Sequence, residues 1–432
     1  MSRLCFPALL IPLLLLGAAL PVRAELQIEI IKPNEQAPQI GVTPFAEGND
    51  LSTIIQNDLR RSGRFASSAS LPQTVYRSAD LDPGLWQQAQ IPYALVGRVT
   101  PQGDDLLIQY ELMDINKSQR LLGEQLTVSK ARQREAAHLI ADKIYQALTG
   151  VAGDFSGRIA YVLREKPRPA AAGAVAKPHF TLQIADTDGH EPRTVLESSE
   201  PILSPAWTPD GKSIAYVSFE SGRPAIYLQA LETGQRQVLA QFKGLNGAPS
   251  FSPDGQSMLF TASMDGNPEI YRMDLSSKKL ERLTRDTAID TEARYAADGK
   301  SFVFTSDRGG NPQVYRYTFA DGSIRRLTYR GSFNARASLS PDNQSMVLVH
   351  RPAGQQFQVT LQDLRAGVTV PLTPTPLDES PSFSPNGQMI VYATREEGRG
   401  LLAIVSTDGR FRMRLPSENG EVREPAWAPR PR

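Results

Sequence analysis

Hydrophobic and polar positions repeat every 44 residues along the last two-thirds of the chain. The same turn position recurs in each repeat as Pro209, Pro253, Ala297, Pro341, Pro385 and Pro429. Two residues before each turn position stands an aromatic residue or a leucine: Trp207, Phe251, Tyr295, Leu339, Phe383 and Trp427. A period of this length indicates a supersecondary unit that buries its apolar faces against copies of itself.

Each repeat predicts four short strands. The sequence Ser-Pro-Asp-Gly, as at Ser252 to Gly255, favours a β-turn because Pro presets φ, Asp bonds its own backbone and Gly tolerates a positive φ. Four strands in about 44 residues are typical of a propeller blade. The apolar second strands number six, so we predict a six-bladed β-propeller; they begin at Ile159, Ile214, Met258, Phe302, Met346 and Ile390.

The two ends of the repeat region complement each other. The first blade lacks a Pro-x-Trp strand of its own, and the chain ends with an additional one at Glu424 to Pro429. We predict that this last strand completes the first blade and closes the ring, which removes an exposed sheet edge. The second strand of the first blade begins 55 residues before the second strand of the next blade, whereas the later blades are 44 residues apart. We assign the extra length to a surface insertion over Pro167 to Pro178.

The region before the repeats has a mixed pattern. Apolar residues at helical spacing predict helices over Leu51–Leu59, capped by Asn49 or Asp50 and followed by Gly63, and over Ala136–Leu148, stopped by Gly150. Between the helices, residues 94–99, 106–113 and 121–128 predict strands. We therefore expect an α/β domain over residues 25–150, packed through a short connection against a propeller over residues 154–432.

The first 24 residues have the organisation of a secretory signal peptide. Arg3 precedes an apolar stretch from Leu4 to Leu20, and small residues flank Arg23 at a cleavage site after Ala24. The stretch is shorter than the roughly 20 residues of a membrane span and contains two prolines. Removal of residues 1–24 would also remove Cys5, so the exported chain would hold itself together without disulfides.

Charge and motifs exclude several function classes. The 47 Lys and Arg residues balance 46 Asp and Glu residues, which leaves no basic excess for nucleic acid, and 40% hydrophobic content excludes wholesale disorder. No nucleophile elbow, phosphate loop, dinucleotide fingerprint or H-E-x-x-H motif is present. We therefore predict no enzymatic activity and no catalytic, cofactor-binding or metal-binding residues. His138 is assigned a structural role, and the calcium-loop spacing of Asp186, Asp188 and Glu197 is better explained by a hairpin turn.

The loops that lead into each first strand, here called the mouth loops, predict a recognition surface. They vary in chemistry beside strands that repeat, and a propeller brings them to one end of its central channel. The mouth loops are 200–203, 245–247, 290–292, 333–336, 377–379 and 421–424.

The whole arrangement resembles the TolB family, the periplasmic proteins of the Tol–Pal system of Gram-negative bacteria. A signal peptide, an α/β domain and six repeats closed by Pro425-Ala426-Trp427 carry the resemblance, together with the stretches 246–249, 377–380 and 405–411. The resemblance implies a non-catalytic scaffold that supports outer-membrane integrity and invagination during cell division. It also implies that the lipoprotein Pal binds at the channel mouth, that bacteriocins use the same surface, and that an N-terminal segment binds TolA, with its ordering coupled to Pal binding.

The resemblance assigns partner-binding roles to two groups of residues. The N-terminal segment, residues 25–33, contributes Glu25, Leu26, Gln27, Ile28, Glu29, Ile30 and Ile31. The channel mouth contributes Leu245, Asn246, Ala248, Thr291, Glu292, Asn334, Arg336 and Glu379. Leu245 stands where the family leads us to expect a histidine, so an apolar contact is expected there. The alternation in the N-terminal segment fits an edge strand added to its own domain or to a partner's sheet, and equally an ordinary first strand.

Two other function classes remain open at this point. Propellers with this turn also accompany serine peptidases, which need an additional α/β-hydrolase domain with a nucleophile elbow. The residues before the propeller contain no such elbow, and only five residues follow Trp427. An exported propeller hydrolase and a ligand-binding protein are therefore the alternatives to a scaffold.

Overall fold

The computed structural model describes residues 26, 28–48, 50–68, 70–165, 178–375, 377–417 and 419–430. The predicted signal peptide, Glu25, Gln27 and the predicted surface insertion up to residue 177 lie outside the described residues. Over the described ranges, no helix combines the length and the apolar character that a membrane span requires.

The N-terminal region is a five-stranded sheet with two long helices on one face. Its elements are β1 (Glu29–Lys32), β2 (Gln39–Val42), α1 (Leu51–Arg61), β3 (Ala66–Ser67), α2 (Pro83–Gln88), β4 (Tyr93–Gln102), β5 (Asp105–Asp114), β6 (Gln119–Ser129) and α3 (Gln133–Thr149), with 3-10 turns at Ser78–Asp80 and Lys130–Arg132. The sheet order is β3-β2-β4-β5-β6, with β2 parallel to both of its neighbours. α1 and α3 pack on this sheet around a core that includes Ile55, Leu59, Ile108, Ile140 and Ile144.

The predicted helices and the three long strands of this region are confirmed. Gly63 and Gly150 follow their helices with positive φ, as their lack of a Cβ allows. Asp50 occupies the N-cap position of α1, but its side chain makes no capping hydrogen bond. Helix α2 and the short strands β2 and β3 were not predicted, because these brief segments show no periodic pattern. Trp86 anchors α2 in a small core on the opposite face of the sheet.

The described residues between Arg158 and Trp427 form the predicted six-bladed propeller. Its strands are β7 (Arg158–Glu165), β8 (His179–Asp186), β9 (Arg193–Ser198), β10 (Ile202–Trp207), β11 (Ser213–Ser218), β12 (Ala225–Ala230), β13 (Arg236–Ala240), β14 (Asn246–Phe251), β15 (Ser257–Ala262), β16 (Glu269–Asp274), β17 (Leu280–Arg282), β18 (Asp290–Tyr295), β19 (Ser301–Ser306), β20 (Gln313–Thr318), β21 (Ile324–Arg326), β22 (Phe333–Leu339), β23 (Ser345–Arg351), β24 (Gln358–Asp363), β25 (Thr369–Pro371), β26 (Glu379–Phe383), β27 (Met389–Glu396), β28 (Arg399–Ser406), β29 (Arg412–Leu415) and β30 (Gly420–Trp427). Strands β10 to β29 make five consecutive blades, numbered 2 to 6, and all pair antiparallel within each blade.

Large apolar side chains at one repeat position hold neighbouring blades together. The third residue of the apolar run in each second strand is at most 1% exposed: Tyr161, Tyr216, Phe260, Phe304, Leu348 and Tyr392. Full burial of a side chain of this size contributes about 1.5–3 kcal/mol. The 44-residue pattern is therefore the pattern of the interfaces between blades.

The ring closes through the last strand, as predicted. Strand β30 pairs antiparallel with β7, with Val422 opposite Leu163 and Trp427 opposite Ile159, and β8 and β9 complete blade 1. The two ends of the propeller sequence thus share one sheet, so this blade holds the ring together.

Of the placements that the sequence left open for the N-terminal segment, the one in the sheet of its own region is wrong. Strand β1 pairs antiparallel with β29 as a fifth strand of blade 6, with Glu29 opposite Arg414 and Ile30 opposite Met413. Leu26 is 3% exposed and belongs to the same apolar cluster as Met413. The outer strand of blade 6 offers unpaired backbone groups beside an apolar groove, which matches a segment that alternates apolar and polar residues.

The N-terminal region packs against the propeller, as the short connection predicts. Arg64 of the N-terminal region donates to the Gln388 Oε1 at 2.7 Å. Just after the connection between the two regions, the carboxylate of Asp154 accepts from the Asn386 backbone N–H at 2.7 Å and from the Arg430 Nε at 2.8 Å. Burial raises the pKa of Asp154 to about 6, although Arg430 and the Asn386 amide favour the carboxylate.

This interface gives a pH prediction. The pKa of Asp154 is about 6 in the folded chain, against about 3.9 for an unfolded aspartate. The folded state therefore holds the proton more tightly, and the contribution of Asp154 to stability falls as pH rises from about 4 to about 6. Relative to Asp154→Asn, we expect the free energy of unfolding of the parent chain to decline by about 2 kcal/mol between these pH values. Urea unfolding of both proteins from pH 4 to 7 measures the difference, and parallel curves would contradict it.

Candidate functional site

Six residues at equivalent places in the six first strands have positive φ. Their φ values lie between 49° and 59°, and they follow one another every 44 residues: Ser204, Ala248, Glu292, Arg336, Ser380 and Glu424. At each of them the pairing register with the second strand shifts. A bulge of this kind bends the strand and redirects its side chain. We call these six residues the channel ring, because their side chains meet around the axis of the propeller.

Hydrogen bonds across the channel show that the ring is assembled from distant blades. The Arg336 guanidinium lies 3.1 Å from the Glu292 Oε1 through Nε and 3.0 Å from the Glu424 Oε1 through Nη1, and it also donates to the Ser380 Oγ. The Ser204 backbone N–H donates to the other oxygen of Glu424 at 3.2 Å. Burial alone would lower the pKa of Arg336, but Glu424 and Glu292 raise it, so the arginine stays charged. The ring is therefore a fixed, charge-paired constriction.

An apolar cavity of about 530 Å³ opens beside this constriction, against the first strands of blades 4 to 6. Its lining includes Ile289, Phe333, Phe357, Leu377 and Val422. The rings of Phe333 and Phe357 meet edge to face, with centroids 5.1 Å apart. Ile289 and Leu377 are exposed and lie together on this lining, so the cavity presents a contiguous apolar surface to solvent. Acidic and basic side chains surround this apolar floor: Glu292, Asp307, Glu379, Arg336, Arg395 and Arg423.

Most of the predicted mouth residues come together here. Thr291, Glu292, Arg336 and Glu379 line the cavity. Ala248 lies with Glu292 and Arg336 along the adjoining channel. Leu245 is exposed on blade 3 and lines neither space.

Two of the predicted residues are buried, and their side chains form hydrogen bonds with the backbone of the mouth loops. The Asn246 side chain accepts from the Phe242 N–H at 2.9 Å and donates to the Phe242 carbonyl at 2.8 Å. The Asn334 Nδ2 donates to the Arg330 carbonyl at 2.7 Å, and its Oδ1 lies 2.8 Å from the His350 Nδ1. Both asparagines therefore shape mouth loops from inside.

The cavity also contains apolar residues that were not singled out from the sequence. Phe333 and Leu377 are the first residues of two predicted mouth loops, and an apolar residue at the start of a polar loop was the available signal. Phe357 lies between the second and third strands of blade 5, where the other repeats show no matching aromatic residue. Periodicity offered no way to find it.

The N-terminal segment presents one face to solvent. Leu26 is buried, Ile28 and Ile30 are half-buried against blade 6, and Glu29 and Ile31 are exposed. Lys32 donates from Nζ to the Gly409 carbonyl at 2.8 Å. Glu25 and Gln27 lie outside the described residues, so their placement stays a prediction.

The repeated aspartates stabilise the β-turns in which they stand. The carboxylates of Asp210, Asp254, Asp298 and Asp342 each accept the backbone N–H two residues later, at 3.0 Å. Hydrogen bonds from Thr208 and from the turn backbone lower the pKa of Asp210. This arrangement agrees with the expected turn role.

One cluster has the atoms of a metal site. Ligand atoms of Asp58, His138 and Asp188 lie within 4.8 Å of one another between the N-terminal region and blade 1. Arg61 pairs with Asp58 and Arg134 pairs with Asp188, so cationic side chains already occupy these carboxylates. Asp186 and Asp188 border the hairpin turn between β8 and β9, where a turn was expected.

The channel ring gives a stability prediction. An Ala at φ 49° sits in the left-handed region, which β-branched residues rarely adopt. We expect Ala248→Val to lower the free energy of unfolding by about 1–2 kcal/mol. Ala248→Gly is the matched control and should change it by less than about 1 kcal/mol, because relief of strain offsets the added chain entropy. Urea unfolding measures both, and a valine variant as stable as the glycine variant would contradict the assigned conformation.

Comparison with known proteins identifies the family. A sequence profile described as "TolB beta propeller domain" matches residues 145–431, and one described as "TolB amino-terminal domain" matches residues 26–121. The chain is 69% identical over 409 residues to the Tol-Pal system protein TolB of Acinetobacter baylyi, covering 94% of each chain. It is 50% identical over 445 residues to that of Pseudomonas aeruginosa, covering 99% of each.

A solved structure agrees with these matches. The crystal structure of TolB from Acinetobacter baumannii superposes with a TM-score of 0.88 at 60% identity, covering 94% of this chain and 100% of that one. The match spans the N-terminal region and all six blades, which favours the scaffold over the alternatives of a propeller hydrolase or a ligand-binding protein. The chain belongs to the TolB family of the Tol–Pal system, a family of non-catalytic scaffolds.

Proposed function

We propose that the chain is exported, loses its signal peptide after about Ala24, and works in the periplasm as a two-partner scaffold. The channel mouth binds the lipoprotein Pal, and the N-terminal segment binds TolA. Through these contacts the protein supports outer-membrane integrity and invagination during cell division. The observation that carries the proposal is the apolar cavity beside the charged channel ring, at the end of the propeller where the mouth loops meet.

The chemistry of the mouth suits a protein partner. Large exposed apolar patches rimmed by polar residues mark protein interaction sites. The cavity is large enough for one or two apolar side chains, while the surrounding acidic and basic groups can pair with charges of either sign. Bacteriocins that mimic such a partner would compete for the same space. Leu245 lies outside the cavity and adds a separate exposed apolar side chain in the mouth loop of blade 3.

The N-terminal segment is suited to exchange between partners. Strand β1 has four residues and pairs on one side only, so its release costs few backbone hydrogen bonds. The same backbone groups can add to the edge of a sheet in another protein, where they regain those bonds. TolA is the partner that we assign to this segment.

The two sites share a blade, which supports coupling between them. Blade 6 carries Glu379 and Ser380 of the mouth on β26, its innermost strand, and holds β1 on β29, its outermost strand. A partner that shifts this blade would therefore move β29, the strand with which the N-terminal segment pairs. If so, linkage requires TolA to change the affinity for Pal by the same factor by which Pal changes the affinity for TolA.

Titration calorimetry with the soluble domain of Pal tests the mouth. Arg336→Ala should weaken Pal binding at least tenfold, because it leaves Glu292 and Glu424 unpaired and collapses the ring. Arg325→Ala, on the exposed outer strand of blade 4, is the matched control and should bind normally. Leu377→Asp tests the cavity without touching the ring. Unchanged affinity in both mouth variants would refute the proposed site.

A further inference from the structure

Two arginines stand directly opposite each other on the outer part of blade 4. Arg316 lies on the third strand, β20, and Arg325 is its partner on the fourth strand, β21. Directly opposite residues of an antiparallel pair point to the same face of the sheet, with Cβ atoms about 4.5–5.5 Å apart, and like charges at such positions destabilise the pair. The sheet therefore brings two positive charges together at this place.

The other blades avoid this arrangement at the same place of the repeat. In blade 3 the equivalent residues are Arg272 and Glu281, and the Arg272 Nε donates to the Glu281 Oε2 at 3.1 Å. The pairs in blades 1, 2, 5 and 6 contain at most one charged residue: Gln183 with Thr194, Leu228 with Gln237, Leu361 with Val370, and Ala403 with Arg414. The propeller fold therefore does not require two arginines here.

The arginine pair has charge and N–H donors that no other described residue uses. Within the described ranges, neither guanidinium makes a hydrogen bond or an ion pair, and the Nε of the half-buried Arg316 is shielded from solvent without an acceptor. Burial lowers the pKa of Arg316, Arg325 lowers it further, and Asp298 opposes them. The Asp298 carboxylate already accepts the Lys300 N–H at 3.0 Å. A buried donor without an acceptor costs free energy, so an anion bound between the arginines would stabilise this part of the blade.

The arginine pair lies where blade 4 meets blade 5. On its inner side, Arg316 stands opposite Val303, which belongs to the same apolar cluster as Met346 of blade 5. The Gln362 Nε2 of blade 5 donates to the Leu327 carbonyl of blade 4 at 2.9 Å, which fixes the two blades against each other. The row of side chains thus runs from a buried, fixed interface to the exposed guanidinium of the outer strand.

A phosphate group matches the pair better than a carboxylate does. Planar guanidinium groups bind phosphate oxygens through two parallel N–H donors. A phosphate monoester carries a charge of about −1.5 to −2 at pH 7 and three acceptor oxygens, so it can serve two arginines at once. A carboxylate has one charge and two oxygens, which a single arginine satisfies, as Glu281 shows with Arg272 in blade 3.

We propose that Arg316 and Arg325 form a binding site for a phosphate monoester on the circumference of the propeller, beside blade 5. The bound phosphate accepts hydrogen bonds from both guanidiniums and neutralises their repulsion. The group can belong to free phosphate or to the head group of a membrane lipid. The site lies on outer strands, away from the mouth loops, and does not depend on binding of Pal or TolA.

Thermal unfolding of the full exported chain in phosphate, and in chloride of equal ionic strength, tests the site. Phosphate should raise the unfolding midpoint of the parent in a saturable way, because a ligand of the folded state stabilises it. Arg325→Glu gives blade 4 the Arg–Glu pair of blade 3, so the phosphate concentration that produces half of the rise should increase at least tenfold. Arg316→Gln is a second variant with the same expected loss.

The same measurement in chloride tests the repulsion between the arginines. Arg325→Glu should unfold about 1 °C above the parent, because an attractive cross-strand pair replaces a repulsive one. Arg285→Glu is the matched control, since it makes the same change of charge at an exposed residue of blade 3. It should respond to phosphate like the parent. An Arg325→Glu chain that is no more stable than the parent in chloride would contradict the repulsion and overturn the site.

Cosedimentation with phosphatidylcholine vesicles, with and without phosphatidic acid, separates the two sources of phosphate. Binding to phosphatidic acid vesicles that free phosphate reverses, and that Arg325→Glu weakens at least tenfold, supports the site with a lipid as its ligand. Stabilisation by inorganic phosphate without vesicle binding supports the site with a soluble phosphate as its ligand. No effect of phosphate on the parent, or an equal effect on the parent, Arg325→Glu and Arg316→Gln, overturns the site.

Discussion

A chain lacking residues 25–33 is expected to lose TolA binding altogether and to remain folded. The deletion removes β1, which only extends the edge of blade 6, and leaves the six blades and their ring closure intact. It also removes the buried Leu26 side chain and exposes the part of the apolar cluster around Met413 that Leu26 covers. Loss of this burial alone should lower the free energy of unfolding by about 2–3 kcal/mol. Calorimetry with the periplasmic domain of TolA measures binding, and circular dichroism monitors the fold.

The matched control keeps the segment and changes an exposed side chain elsewhere. Arg325→Ala, on the outer strand of blade 4, should leave both TolA binding and the docking of β1 on blade 6 unchanged. The deleted chain should also bind Pal with a changed affinity if the two sites are coupled. TolA binding of parental strength by the deleted chain would show that the segment is not the TolA site. An unchanged Pal affinity would refute the coupling alone.

A chain that ends at residue 419 is expected not to fold as a propeller. Strand β30 supplies the first strand of blade 1, and its Val422 and Trp427 pack into the cluster that joins blades 1 and 6. Its loss opens the ring and exposes two sheet edges. We expect a loss of more than about 5 kcal/mol, which is comparable to the whole stability of many domains.

Urea unfolding of two truncated chains measures this effect. The control chain ends at residue 430, keeps β30 and keeps the ion pair between Arg430 and Asp154. It should unfold cooperatively at the midpoint of the full chain, whereas the shorter chain should show no cooperative transition. A cooperative transition at the parental midpoint in the shorter chain would refute ring closure by β30.

The blades could be predicted from the sequence because their determinants are local and repeated. Each turn is specified by neighbouring residues such as Pro253 to Gly255, and each blade interface repeats one apolar position. The role of Trp427 followed from counting strands. By contrast, the destination of β1 depends on which sheet edge is free and apolar in the folded molecule, and the pattern of residues 26–31 fits several edges equally well.

The site was predictable in part for the same reason. Glu292 and Arg336 lie in loops that the repeat brings together, so their proximity followed from the period. Their ion pairing and positive φ did not, because a bulge depends on the register of the neighbouring strand. Phe357 has no counterpart in other repeats. His138 lies 50 residues before Asp188, and only docking of the two regions brings them together.

The central claim is that the channel mouth is the surface that binds Pal. Hydrogen-exchange footprinting of the exported chain with the soluble domain of Pal tests it most directly. The account predicts protection of the mouth loops of blades 3 to 6, which include Leu245, Thr291, Arg336 and Leu377, and no protection of the outer strands β13, β17 and β21. Protection confined to the outer strands or to the sheet face of the N-terminal region, or a complex that protects no mouth loop, would contradict it.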